Sequence, residues 1–138
     1  MSASINYASN PVSGSGVLTT GDTSRTAPTN TVTFFTPTNA SSVNEGGWCE
    51  RIVIEPVAST VASVIRIFKY DGTNYHPYCE VQVGAQTISG SVAVQAVTLE
   101  AVDTPNLMPT VVPAGWSLRA SVNDTQTGIN IAGEGGGF

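Results

Sequence analysis

Few residues in this chain could carry out chemistry, and their spacing matches no common catalytic pattern. The only histidine, His76, is followed directly by Pro77, and the ten carboxylates are scattered along the sequence. HxH, HExxH and GxSxG patterns do not occur. Acid–base and nucleophilic catalysis need a base within hydrogen-bond reach of its partner group. We therefore expect a protein that is not an enzyme, with no catalytic residue, no bound metal and no cofactor.

Residues 71–74, DGTN, have two interpretations. Asp71 and Asn74 could offer oxygens to Ca²⁺, but that ion takes about six to eight oxygen ligands. Asp, Gly and Asn are also the residues that favour tight turns. The β-forming runs at residues 64–70 and 78–83 flank the segment, so we expect a turn in a β-hairpin.

Composition indicates one all-β domain of 138 residues, with 41% hydrophobic and only 11% charged residues. Much of the polar surface must then consist of Thr, Ser, Asn, Gln and Gly, a composition that disfavours helices and favours strands and turns. A surface with so little charge is typical of one that faces other proteins. A small acidic domain kept soluble by hydroxyls and amides would have the same composition, and both interpretations remain open.

Charge excludes two classes of partner. The formal net charge is −5, with one lysine and four arginines, so the chain lacks the basic stripe of a nucleic-acid-binding or membrane-surface protein.

No apolar run approaches the roughly 20 residues that span a bilayer. The first residues lack a charged and then apolar leader. We therefore expect no secretion signal and a protein made in a cytosol.

The strand pattern predicts a single-domain antiparallel β-sandwich of the jelly-roll type, with a closed barrel as the alternative. Turn residues recur between short β-forming segments. One long strand is predicted at residues 91–100, with a bulge near Gln95, and a Gly-rich tail at residues 133–138. The predicted strands cover residues 31–36, 48–55, 64–70, 78–83, 91–100, 111–112, 116–122 and 129–132.

Residues 1–30 predict an extended N-terminal arm before a sandwich domain at residues 31–138. The segment is polar, and we expect at most one short strand near residues 17–20. A floppy terminus is one interpretation; an arm that orders on a neighbouring subunit is the one we favour. Deleting this arm should leave a folded domain that no longer binds its partner. The candidate partner-binding residues of the arm are Ile5, Tyr7, Val12, Val17 and Leu18.

Aromatic residues offer a second set of candidates. A platform for stacking sugars could be formed by Trp48, Tyr70, Tyr75, Tyr78 and Trp116. Trp116, however, begins an alternating apolar run that is typical of a core strand. Tyr75 and Tyr78, beside the predicted turn, are better candidates for a contact surface. Phe138 at the end of the Gly-rich tail completes the candidate partner-binding residues.

The two cysteines, Cys49 and Cys79, are too few for a disulfide scaffold and too isolated for a zinc site. Two free and largely buried thiols are the simpler interpretation. Each cysteine lies near the end of a predicted strand, so a disulfide formed after release from the cell stays open as the alternative.

Three segments together resemble a known group of proteins. They are RIFKYDGTNY (residues 66–75) followed by YCEVQV, then VPAGWSLRASV (residues 112–122), and NIAGEGGGF (residues 130–138). The chain resembles small virion-associated proteins encoded beside capsid genes in tailed bacteriophages, and the likeness spans residues 50–138. The matching motifs are structural, with no catalytic motif to transfer.

The resemblance implies a non-enzymatic decoration, or cement, protein on the outer capsid, assembled in the host cytoplasm and located in the virion. Its partners would be the major capsid protein and copies of itself, with a homotrimer favoured. The alternative is a receptor- or glycan-binding β-sandwich module of a phage fibre or tail.

Overall fold

Nine β-strands form the regular structure of the computed structural model, which describes residues 10–102, 104–126 and 128–138. These ranges contain no helix. The strands are β1 (Asn10–Leu18), β2 (Val32–Phe35), β3 (Gly47–Pro56), β4 (Ser63–Tyr70), β5 (Tyr75–Val83), β6 (Val97–Glu100), β7 (Thr110–Val112), β8 (Ser117–Val122) and β9 (Ile129–Gly137).

The strands form two antiparallel sheets that pack face to face, which confirms the predicted all-β sandwich. Sheet A has the order β1-β9-β3-β6, with β7 also paired to β3, and sheet B has the order β2-β8-β4-β5. The pairs are nested along the chain: β1 with β9, β2 with β8, β3 with β6, and β4 with β5. The β4–β5 hairpin, predicted from its turn, is the innermost pair.

The core lies between the sheets and follows the two-residue period of the strands. In β8, Leu118, Ala120 and Val122 are all fully buried, as their alternation predicts. Ile52 and Ile54 of β3 face them from the other sheet and are also fully buried. Burying such an aliphatic side chain contributes roughly 1.5–3 kcal/mol.

Strand β3 contains a bulge that the sequence pattern does not show. Its register against β9 shifts between Cys49 and Arg51, so Glu50 is the extra residue. In a regular strand, Glu50 would share a face with Ile52 and Ile54. The bulge instead brings Cys49 into the core, where it is fully buried, and leaves Glu50 exposed.

The predicted Gly-rich tail is wrong, because residues 129–137 form one continuous strand. β9 pairs with β1 on one side and with β3 on the other along this whole length. Glycine is required by close approach of the backbones. A Cβ atom on Gly135 would lie 1.8 Å from the Trp48 carbonyl oxygen, and one on Gly137 would lie 2.0 Å from that of Thr38.

The predicted arm is also corrected in its described part. Asn10–Leu18 is a strand at the edge of sheet A, longer and earlier than the short strand expected near residues 17–20. Gly14 fits against sheet B, because a Cβ there would lie 2.5 Å from the Phe34 carbonyl oxygen. Leu18 is 3% exposed and belongs to the core. Residues 10–18 are therefore part of the sandwich.

Residues 19–31, which we call the strap, fold back onto the outer face of sheet B. The Asp22 carboxylate accepts hydrogen bonds from the backbone N–H groups of Ser24, Thr29 and Asn30 at 2.9, 2.7 and 2.9 Å. Arg25 Nε donates to Glu80 of β5 at 2.7 Å. These bonds close the segment on itself and attach it to its own sheet.

The long strand predicted at residues 91–100 is mostly wrong, since only Val97–Glu100 pairs in a sheet. The preceding residues form a turn with a single bridge between Ser89 and Val92, and Val92 is 59% exposed. Alternating valines were present there, but no neighbouring strand covers them. Gln86 instead bonds the backbone of Gln95 through its side chain, so the predicted bulge near Gln95 has no strand to interrupt.

Candidate binding surface

One end of the sandwich, which we call the aromatic end, collects most of the aromatic residues outside the core. β4 ends and β5 and β8 begin there in sheet B, where Tyr70 pairs with both Tyr75 and Ser117. The start of β3 and the end of β9 lie there in sheet A, and Lys69 Nζ donates to the Val111 carbonyl to join the two sheets. The aromatic end comprises Trp48, Tyr70, Tyr75, Tyr78, Trp116 and Phe138.

The hairpin turn at this end uses its acidic group internally. Asp71 Oδ1 accepts the backbone N–H groups of Thr73 and Asn74 at 2.8 and 2.7 Å. Asp71 Oδ2 lies 2.9 Å from His76 Nε2. The Asn74 bond, the His76 contact and the Thr73 bond together lower the pKa of Asp71 to about 2. The turn interpretation of residues 71–74 is confirmed.

His76, the second residue of β5, stacks on Trp116, which lies just before β8. Its ring lies 4.9 Å from that of Trp116, with only 15° between the planes. Trp116 is half-buried and packs against the core, as its place in an alternating run predicts. One face of the Trp116 indole is thus covered by His76, and the imidazole is oriented by both Trp116 and Asp71.

Tyr70 and Tyr75 form a closed cluster around a cation. The Arg119 guanidinium lies 3.9 Å from the Tyr70 ring centroid, and Arg119 Nη1 donates to the Tyr75 hydroxyl at 3.1 Å. That hydroxyl is also 3.1 Å from Thr31 Oγ1, which ties the strap to the cluster. Such cation–π contacts are worth about 0.5–2 kcal/mol. Tyr75 is therefore half-buried and stabilises its own fold.

Tyr78 also makes its contacts within its own chain. Its hydroxyl donates to the Leu107 carbonyl, and Lys69 Nζ lies 4.8 Å from its ring centroid. Burial lowers the pKa of Lys69. Because each of these aromatic side chains has its own partners within the chain, the predicted sugar platform does not form. Tyr75 and Tyr78 do not make one open aromatic surface.

Trp48 and Phe138 form the exposed part of the aromatic end. Their rings make an edge-to-face contact with centroids 6.2 Å apart. Val111 lies beside Trp48 on the neighbouring strand. Phe138 is 43% and Val111 41% exposed. We call Trp48, Val111 and Phe138 the apolar patch.

The apolar patch continues into the outer face of sheet A, where one row of side chains across the sheet is small and uncharged. In-register residues on this face include Ser15, Ala132, Val53 and Thr98. Charged side chains collect around Arg51, which forms an ion pair with Glu134 across β3 and β9 and also lies opposite Glu100 of β6. An open groove of about 510 Å³ crosses this face beside that pair, lined in part by Pro11, Glu50 and Glu100.

The predicted partner-binding residues lie in different places. Val17 is 47% exposed at the opposite end of β1, whereas Val12 packs against the core. Leu18 is buried, so its side chain is not available to a partner, which corrects that assignment. Ile5 and Tyr7 lie outside the described residues. Of the predicted residues, only Phe138 falls on the apolar patch, and a contact role for it stays a prediction.

Both cysteines are free. Cys49 is fully buried and Cys79 half-buried against the core. Burial raises the pKa of Cys49 to about 12 and that of Cys79 to about 11. Both side chains are therefore protonated thiols at neutral pH, as expected for packing residues.

Within residues 10–102, 104–126 and 128–138, no group of three or more His, Cys, Asp or Glu side chains is arranged to hold a metal ion. The same part of the chain has no helix long and apolar enough to cross a membrane. Comparison with protein-family models, curated proteins and solved structures gave no match.

Sequence reasoning missed two features of this surface. Trp48 was considered only as part of a sugar platform, whereas it anchors the apolar patch through Phe138, far along the chain. Arg119 alternates with the buried residues of β8, and nothing local in the sequence indicates its contacts with Tyr70 and Tyr75. The contact between Trp48 and Phe138 follows from the pairing of β3 with β9, which requires the Gly-rich segment to be a strand.

Proposed function

We propose that this chain is a non-enzymatic structural protein of a bacteriophage virion that decorates the outer capsid and stabilises it by bridging capsomers. The observation that carries the proposal is the apolar patch at one end of sheet A, where Trp48, Val111 and Phe138 lie together on the outer surface. The cores of protein interfaces are depleted in charged residues and enriched in aromatic ones. Trp48 and Phe138 are the anchors that this face would offer.

Avidity fits this proposal, because a decoration protein binds a repeating lattice. Flat contacts made by small side chains are weak individually, and linking many of them multiplies their effect. Self-association, with a trimer favoured, would place several such faces on one oligomer. The major capsid protein is the expected partner.

The strand order supports a jelly roll, the finer fold within the β-sandwich. Four nested pairs divided between two sheets, β1-β9-β3-β6 and β2-β8-β4-β5, are consistent with two interlocked Greek keys. That architecture occurs in viral capsid and lectin domains. This support is an analogy of fold, and it agrees with the resemblance of residues 50–138 to small phage virion proteins.

Quantitative gel analysis of purified virions tests the lattice role directly. We expect many copies per particle, and a dozen or fewer would contradict it. Binding of the purified protein to undecorated shells then tests the surface. Trp48→Ala and Val111→Ser should weaken co-sedimentation at least tenfold, whereas Val57→Ser, at a valine on the opposite end that is more exposed than Val111, should not.

A glycan-binding role is the second candidate, favoured by one specific observation. The half-exposed Trp48 lies on the same face as the groove that Glu50, Glu100 and Glu134 line, and sugar sites combine an aromatic ring with hydrogen-bonding carboxylates. Titration with a broad saccharide panel should then change tryptophan fluorescence. Unchanged fluorescence across the panel would eliminate this role.

A further inference from the structure

A second cavity lies on the other sheet, away from the surface proposed to meet the capsid. It is a cleft of about 300 Å³ on the outer side of sheet B, between the strap and β5. Phe68 and Pro77 contribute to a mostly apolar wall, and Arg25, Arg66 and Glu80 supply its charged groups. This volume lies at the lower limit of small-molecule sites, about 300 Å³.

The charges of the groups that line the cleft do not sum to zero. One oxygen of Glu80, Oε1, accepts from both Arg25 Nε at 2.7 Å and Arg66 Nε at 2.9 Å. Two guanidinium groups thus share one carboxylate, which leaves one excess positive charge in the lining. The nearby Asp22 carboxylate is bound by the backbone of the strap. Hydrogen bonds from Arg25 and Arg66 lower the pKa of Glu80, so it stays charged at neutral pH.

This excess is notable because the chain is acidic overall. Its net charge is −5, and two of its five cationic side chains line this single cleft. Arg66 is 4% exposed and is fixed by Glu80, by the Asp22 carbonyl and by Asn123. Arg25 is different: its side chain is 63% exposed, and among the described residues its terminal nitrogens have no partner.

We propose that this cleft binds a small organic anion with an apolar body, of the aryl- or alkyl-carboxylate class. The apolar body would pack against Phe68 and Pro77. The carboxylate would accept hydrogen bonds from the terminal nitrogens of Arg25, which present the fork geometry that matches a carboxylate. This site is independent of the virion role and uses a different sheet.

An NMR titration with two matched probes tests the site on the intact protein. 3-Phenylpropionate carries the ring and the carboxylate, and 3-phenylpropanol carries the same ring without the charge. We expect saturable shifts of the amides of Arg25, Phe68 and Glu80 with the acid, and at least tenfold weaker binding of the alcohol. Equal affinity for the two probes, or no saturable shift with the acid, would overturn the proposal.

Two variants separate the cation from the general surface. Arg25→Gln should weaken binding of the acid at least fivefold, and Arg25→Lys should recover part of the loss because it keeps the charge. Arg51→Gln removes an arginine that is also ion-paired, but on the outer face of sheet A, and should leave the affinity unchanged. Wild-type affinity in Arg25→Gln, or an equal loss in Arg51→Gln, would contradict a site at Arg25.

Discussion

Gly135 of β9 passes so close to the Trp48 carbonyl of β3 that a Cβ atom on it would lie 1.8 Å from that oxygen. Gly135→Ala must therefore displace backbone, and we expect a loss of about 3 kcal/mol of unfolding free energy, the upper end of the typical cost of overpacking. Gly90→Ala is the control, because a Cβ there meets no atom within 4 Å. Urea unfolding measures both, and similar stabilities for the two variants would contradict the close approach.

The strap should be the first place where trypsin cuts once its anchors are removed. Asp22→Ala removes the acceptor of three backbone hydrogen bonds, and Glu80→Gln removes the charge that holds Arg25. We expect cleavage after Arg25 to accelerate at least fivefold in either variant, as followed by mass spectrometry. Ser13→Ala, on the other sheet, should be cut at the wild-type rate. If Asp22→Ala and Glu80→Gln are cut no faster than the wild-type protein, these anchors do not hold the strap.

Asp71 should make the hairpin acid-sensitive in a defined pH range. Its pKa in the folded protein is about 2, lowered from 3.8. The stabilisation is therefore complete above pH 3.8 and disappears as the pH falls through about 2. NMR titration of the Asp71 side chain should show a midpoint near 2, and Asp71→Asn should remove this component of the pH dependence. A midpoint at or above 3.8 would show that the turn bonds are not formed.

The two thiols should react slowly in the folded protein. Only the thiolate attacks alkylating reagents, and burial raises the pKa of Cys49 to about 12 and that of Cys79 to about 11. At pH 8 we expect iodoacetamide to label Cys79 slowly and Cys49 more slowly still, with both fast in guanidinium chloride. Rapid labelling of Cys49 in the native state would contradict its place in the core.

Truncated chains test whether residues 10–18 are a dispensable arm or a strand that the fold requires. A chain that starts at Thr19 lacks β1, which pairs with β9 and contributes Leu18 to the core. We expect it to lose its cooperative unfolding transition. A chain that starts at Asn10 keeps every described contact and should retain that transition. A folded product from the shorter chain would show that residues 1–18 are dispensable for folding.

The sequence was sufficient wherever side chains alternate on both sides of a well-marked turn. The hairpin at Asp71 and the buried face of β8 follow from local patterns. It was insufficient where pairing partners decide the structure. β1 and β9 contain several glycines, which have low strand propensity, and they become strands because β9 pairs with β1 on one side and with β3 on the other. The valines near Val92 show the opposite error, since a strand pattern without a partner strand remains a loop.

The binding surface was less predictable than the fold. His76 stacks on Trp116, and Trp48 contacts Phe138, although each pair is remote along the chain. Such pairs depend on which strands become neighbours. Tyr75 was correctly associated with the hairpin, but its contacts with Arg119 and Thr31 required the strap to be folded back. Local composition indicated aromatic residues and could not indicate which faces they would cover.

The central position of β9 has a consequence for synthesis on the ribosome. β9 joins β1 to β3, yet it is translated after all the other described strands. The edges of β1 and β3 that pair with β9 therefore stay unpaired until residues 129–137 have left the exit tunnel. Contacts of such long sequence separation also slow folding. The nascent chain thus depends on its glycine-rich last strand to close, and it is most exposed to aggregation or chaperone capture just before that strand emerges.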